Sequence, residues 1–195
     1  MTTVIENLLE RMRVLEEELQ SELEKKRKEI AFTIARKRIE FPLELLNRQH
    51  LDRVGLWKYL RESRLACVLT APFIYAGFPV FALLDLFLVM YTRICFPVYG
   101  IAPVKRSDYL VFDRSELPYL NAIEKFNCFY CSYGNGVAAY LREAAARTEQ
   151  YWCPIKHARR LLDVHGRYAL FHEFGDSQAY RAGLEKLARQ HSTPP

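Results

Sequence analysis

LACVLTAPFIYAGFPVFALL, residues 65–84, is a run of 20 residues without a charge. About 20 apolar residues is the length of a helix that crosses a bilayer. Pro72, Gly77 and Pro79 interrupt the run, and a proline inside a helix removes a hydrogen bond and crowds the preceding turn. After Asp85 a second apolar run, LFLVMYT, leads to Arg93 and then to ICFPVYGIAPV. These features predict a membrane hairpin over 65–104 that turns near Gly77 to Pro79, with arms at 65–76 and 80–95. At about 1.5 Å per residue the first arm falls short of a hydrocarbon core of about 30 Å, which favours a re-entrant insertion over two short spans.

The flanks point the same way. Arg61 and Arg64 precede the apolar region while Lys105 and Arg106 follow it, so both ends are expected on the cytoplasmic side of the membrane. Asp85 is costly in lipid unless paired, and is expected to face protein, with Arg93 or a neighbouring chain as partner. The competing reading is the buried core of a soluble protein.

Immediately upstream, residues 42–64 read as a basic interfacial helix, running from about 43 to 63. Leu45, Leu46, Leu51, Leu56, Trp57 and Leu60 are interleaved with Arg48, Arg53, Lys58, Arg61 and Arg64. Cations beside Trp and Leu suit a helix lying among anionic lipid headgroups.

Residues 1–41 read as one long helix without glycine or proline before Pro42. Ile5, Leu8, Met12, Leu15 and Leu19 follow the 3-4 spacing of a coiled-coil seam, which then shifts by four to Leu23, Ile30 and Ile34. Self-association into a homo-oligomer and packing on the chain's own domain are the two readings of that stripe. Charge is uneven as well. Residues 1–24 hold 2 basic and 7 acidic side chains, whereas residues 25–64 hold 12 basic and 5 acidic, within a total of +5. The basic block faces phosphate of lipid or nucleic acid. A leucine-zipper DNA binder places its basic region before the heptads, and here it follows them, which disfavours nucleic acid.

Residues 105–190 have the character of a soluble helical domain. DYLVFD (108–113) reads as a strand or extended segment, and a helix is expected to start near Ser115. SYGNG reads as a turn, 137–152 as a helix, Pro154 to about Val164 as another, and a final helix begins near Asp176 or Ser177. Residues 191–195 read as a disordered tail.

Within that domain, Cys128 and Cys131 form a C-x-x-C pair, and Cys153 and His157 are spaced i and i+4, on one face of a helical turn. The 21 residues between the pairs suffice for a helix out and a turn back. Thiolates and imidazole suit zinc, and three Cys with one His complete a tetrahedral count. Cys128, Cys131, Cys153 and His157 are therefore the candidate metal ligands, for zinc or alternatively for an iron–sulfur cluster. A third alternative is thiol chemistry at Cys153, placed at a helix N-terminus before Pro154 with His157 one turn on. Glu149 is a candidate carboxylate partner for His157, Glu143 and Arg147 an i, i+4 pair, and His165 and His172 a polar cluster with Glu173 or Asp176. Five cysteines, two of them in the apolar region, argue against a disulfide framework. No nucleophile–base–acid set stands out, so no catalytic residue is assigned.

FNCFYCSYGNG (126–136) together with RTEQYWCPIKHARR (147–160) resembles a block in uncharacterised bacterial membrane-associated proteins. The resemblance implies membrane association and a common purpose for these cysteines and this histidine, and no activity. The sequence thus reads as a mainly α protein with a long N-terminal helix, a membrane-inserted hairpin and a small Cys3His domain. Its expected role is a membrane-associated, metal-binding scaffold or adaptor, with membrane electron transfer and a Cys153 redox enzyme as alternatives.

Overall fold

A computed structural model describes residues 2–29, 33–35 and 38–192. The fold is mainly helical. α1 spans Thr2–Glu29, and two short strands, β1 (Thr33–Ala35) and β2 (Arg38–Glu40), pair antiparallel with Ile34 opposite Ile39. The long helix therefore stops before Pro42. β-branched residues favour extended backbone over helix, and the backbone of Ile34 lies in a strand, so it is not a heptad position. Ile30 lies outside the described residues. The basic stretch after Pro42 forms two helices, α2 (Leu43–Leu51) and α3 (Leu56–Glu62). Gly55 separates them, and its carbonyl accepts the Tyr59 N–H at 2.9 Å to open α3.

The apolar region forms α4 (Leu65–Tyr75) and α5 (Gly77–Val98), and the chain does not reverse between them. Ala76 keeps right-handed helical angles (φ −61°, ψ −17°), and its N–H bonds to the Pro72 carbonyl at 2.9 Å. A reversal would need several residues outside the helical region. The expected hairpin is thus replaced by a single interrupted helix. Pro79 falls in the first turn of α5, where a missing N–H is tolerated, so it interrupts the ladder without turning the chain. Leu65–Val98, 34 residues, is long and apolar enough to cross a membrane.

α5 ends at a left-handed Gly100 (φ 64°), with the Ile101 N–H returning to the Phe96 carbonyl at 2.8 Å. The chain then runs back along α5 before α6 (Ala122–Trp152) begins. Asn121 starts α6: its side-chain oxygen accepts the Ile123 and Glu124 N–H groups at 3.0 Å each, and Glu124 reaches back to the Asn121 N–H at 2.9 Å. Helix onset therefore lies at Asn121, while Ser115 sits in a short 3-10 turn, Asp113–Glu116. Residues 108–113 form no strand.

α6 is one unbroken helix, so SYGNG is helical. Its glycines serve close approach. A Cβ on Gly134 would stand 2.8 Å from the Phe81 ring, and one on Gly136 would stand 2.8 Å from the Tyr109 carbonyl. α5 and α6 run parallel: Phe81 meets Tyr130, Thr92 Oγ1 meets Tyr140 Oη at 2.9 Å, and Tyr91 Oη meets Thr148 Oγ1 at 2.7 Å. The returning segment lies with them, and Leu88, Phe96, Val104, Leu110, Val137, Tyr140 and Ala144 form the shared core.

Beyond α6, residues 154–164 are irregular. Pro154 starts no helix because its carbonyl accepts the His172 N–H, and the Lys156 N–H donates to the His172 carbonyl, both at 2.8 Å. α7 (Ser177–Ser192) begins where expected, with Asp176 Oδ1 accepting the Ala179 N–H at 2.9 Å, and it extends through residues 191 and 192 of the expected tail. The chain divides into two compact units, Met1–Arg61 with Asp113–Lys125, and Glu62–Phe112 with Phe126–Pro195.

Candidate functional site

The four candidate ligands do not converge. Cys128 and Cys131 lie on α6, whereas Cys153 follows its last residue and His157 lies in the irregular stretch beyond. Because α6 is continuous, Cys131 and Cys153 are separated by about 33 Å at 1.5 Å per residue. Ligands of one zinc or iron–sulfur centre must come within about 4–6 Å of one another. Among the described residues no group of three or more His, Cys, Asp or Glu is placed to hold a metal ion. The single-chain Cys3His centre expected from spacing is therefore corrected, for zinc and for a cluster alike. The cause is local: two glycines read as a turn are packing positions inside a helix.

The pieces have separate surroundings. Cys131 and Cys153 are exposed and Cys128 is half-buried. The Cys153 N–H closes the helix on the Glu149 carbonyl at 2.8 Å, so this cysteine meets the negative end of α6 rather than the positive helix start invoked for a reactive thiolate. His157 stacks on Tyr168, and its backbone N–H donates to the Tyr168 hydroxyl at 2.6 Å.

Two polar networks stand out in the helical unit. Asp85 is buried at 7% exposure and faces protein, as its cost in lipid requires. Its partner is Arg106, not Arg93: Nε and Nη2 of Arg106 donate to its two oxygens at 2.8 and 2.5 Å, and the Tyr133 hydroxyl adds a third bond at 3.0 Å. The second network centres on Glu143, which accepts from Arg147 Nε at 2.7 Å and from Arg167 Nη2 at 2.8 Å. Arg147 in turn donates to the carbonyls of Ala102 and Pro103 at 2.7 and 3.0 Å, tying the returning segment to α6. Burial pushes the Glu143 carboxyl up, but the hydrogen bonds and charges of Arg147 and Arg167 outweigh it and hold the carboxyl below its ordinary value.

Glu149 pairs with His165 at 3.0 Å rather than with His157, and these residues with Arg142, Asp163 and Tyr168 line a cavity of about 250 Å³. His172 instead packs against Tyr180. The Arg106 and His165 partnerships escape sequence reasoning because they join residues 21 and 16 positions apart through tertiary packing.

The largest chemical feature is apolar and exposed. On α4, Leu65, Leu69, Phe73 and Ile74 are open, and on α5, Val80, Leu83, Phe87, Met90 and Ile94 form an open stripe opposite the buried Asp85, Leu88, Thr92 and Phe96. No family model matches this chain, and neither a curated protein nor a solved structure matches it. Fold and surface together define a mainly helical protein that carries, among the described residues, one helix long and apolar enough to cross a membrane.

Proposed function

We infer that this chain is a membrane-attached scaffold or adaptor protein, held to the bilayer by α4 and the open stripe of α5. The observation that carries this reading is exposure: only 11% of the most apolar window of Leu65–Val98 is buried, where the core helix of a soluble protein would be mostly covered.

The insertion is monotopic. From Leu65 to Phe73 the helix extends about 12–14 Å, roughly the depth of one leaflet. Farther on, Arg106 lies against α5 at Asp85, and its neighbours Lys105, Ser107 and Asp108 are exposed. Carrying these groups into hydrocarbon is costly, which limits the depth that α5 reaches. Arg53, Lys58, Arg61 and Arg64, with the exposed Trp57, precede α4 in sequence and suit anionic headgroups. A monotopic insertion leaves both termini on the cytoplasmic face.

Flotation with lipid vesicles tests this. The full chain is expected to float with vesicles containing anionic lipid, and a Leu69→Asp, Phe73→Asp variant to remain at the bottom of the gradient. A wild-type chain that stays monodisperse in buffer and ignores both anionic and neutral vesicles contradicts the reading.

A further inference from the structure

α1 is exposed at every position from Glu6 to Lys28, so this stretch packs on nothing among the described residues of its own chain. Helices in proteins draw most of their stability from packing an apolar face, and this one leaves such a face open. Leu8, Met12, Leu15 and Leu19 are 52%, 58%, 63% and 61% exposed, and they recur at the 4-3-4 spacing of a coiled-coil seam.

The polar residues are sorted around that seam. With Met12 and Leu19 at a, and Leu8 and Leu15 at d, Glu6, Glu10, Arg13, Glu17 and Glu24 fall at the outer b and f positions. Arg13 there pairs with Glu10 at 2.8 Å and approaches Glu17 at 4.0 Å within the helix. Arg11 takes position g and Glu16 position e, and among the described residues neither has an ion pair within the chain. In a parallel, in-register pair of helices, g of one heptad faces e of the next on the partner. Arg11 then faces Glu16 of the partner subunit, twice by symmetry. The other flanking contacts are Val4 against the partner's Leu9, which widens the apolar seam, and Glu18 against the partner's Leu23. As far as Leu19 the acidic excess of α1 therefore places no two like charges opposite each other. Glu22 falls at the next d position, where it would face its own copy, and it ends the seam there, its carboxylate held by Lys25 of the same helix at 2.5 Å.

We propose that α1 is the docking surface for a second copy of this chain, forming a parallel, in-register two-stranded coiled coil clamped by reciprocal Arg11–Glu16 pairs. This rests on α1 alone and stands whether or not the protein enters a membrane.

Sedimentation of the full chain in detergent tests it. The wild type is expected to dimerise and Leu15→Asp to be monomeric. Arg11→Glu and Glu16→Arg, each replacing two attractive contacts by repulsive ones, are expected to weaken the dimer roughly tenfold. The double swap, Arg11→Glu with Glu16→Arg, is expected to restore it. A monomeric wild type overturns the proposal. So does a silent Glu16→Arg, or a double swap no better than the single ones, because either result breaks the parallel register even if Leu15→Asp dissociates the dimer.

Discussion

Arg106 grips both carboxylate oxygens of Asp85, at 2.8 and 2.5 Å, from 21 positions further along the chain. The pair fixes where the returning segment lies against α5, and Tyr133 on α6 joins at 3.0 Å, so one carboxylate ties three parts of the unit. Removing a partner from a fully buried ion pair costs about 3–5 kcal/mol. The Arg106 side chain is 42% exposed, so Arg106→Gln is expected to cost less, about 2 kcal/mol, read as a lower denaturation midpoint in detergent. An unchanged midpoint would mean that the pair does not hold the segment.

Close packing against α6 depends on glycines whose sequence context reads as a turn, Gly134 beneath Phe81 of α5 and Gly136 beneath Tyr109 and Leu110 of the returning segment. Gly136→Ala would set a methyl 2.8 Å from a backbone carbonyl, which cannot swing aside as a side chain can. Overpacking of this kind costs about 1–3 kcal/mol, against a gain of about 1 kcal/mol in helix propensity. Net destabilisation is expected. Gly166→Ala, with nothing within 4 Å, is the control that leaves the unfolding midpoint in place.

Glu143 gives the fold an acid-side signature. Its carboxyl is held below its ordinary value of 4.5 despite burial, by Arg147 and Arg167. Its contribution is therefore complete above the unfolded value and is lost as pH falls through the lower folded one. Wild-type stability is expected to decline in that acid window with a slope that Glu143→Gln lacks. At neutral pH the variant is expected to be about 1–2 kcal/mol less stable. Parallel pH profiles for the two proteins would contradict this.

Metal content checks the corrected site. Cys153→Ser and His157→Ala are expected to change neither the zinc nor the iron measured in purified protein, because α6 holds Cys153 far from Cys128 and Cys131. Stoichiometric metal lost in both variants would require α6 to break between the two pairs.

Sequence patterns are legible where local physics decides. The apolar length of 65–98, the start of α7 at Asp176 and Ser177, and the Glu143–Arg147 pair all follow from neighbours in sequence. The errors share one cause. Gly134 and Gly136 read as a turn because glycine tolerates turns, but here Phe81 and the Tyr109 carbonyl need the space of a side chain. Pro154 reads as a helix start, but pairing with His172 holds it extended. The cost of a carboxylate in lipid turns Asp85 toward protein, as expected, while Arg106 as its partner requires knowing that the chain doubles back. Distant contacts override propensity at each of these positions.

The most direct measurement of the membrane account uses two native thiols. Cys67 on α4 and Cys153 after α6 are both exposed in the fold, so protein packing does not distinguish them. With the protein bound to anionic vesicles, a charged, water-borne maleimide is expected to modify Cys153 and spare Cys67. Equal modification of the two would place α4 in water and contradict the account.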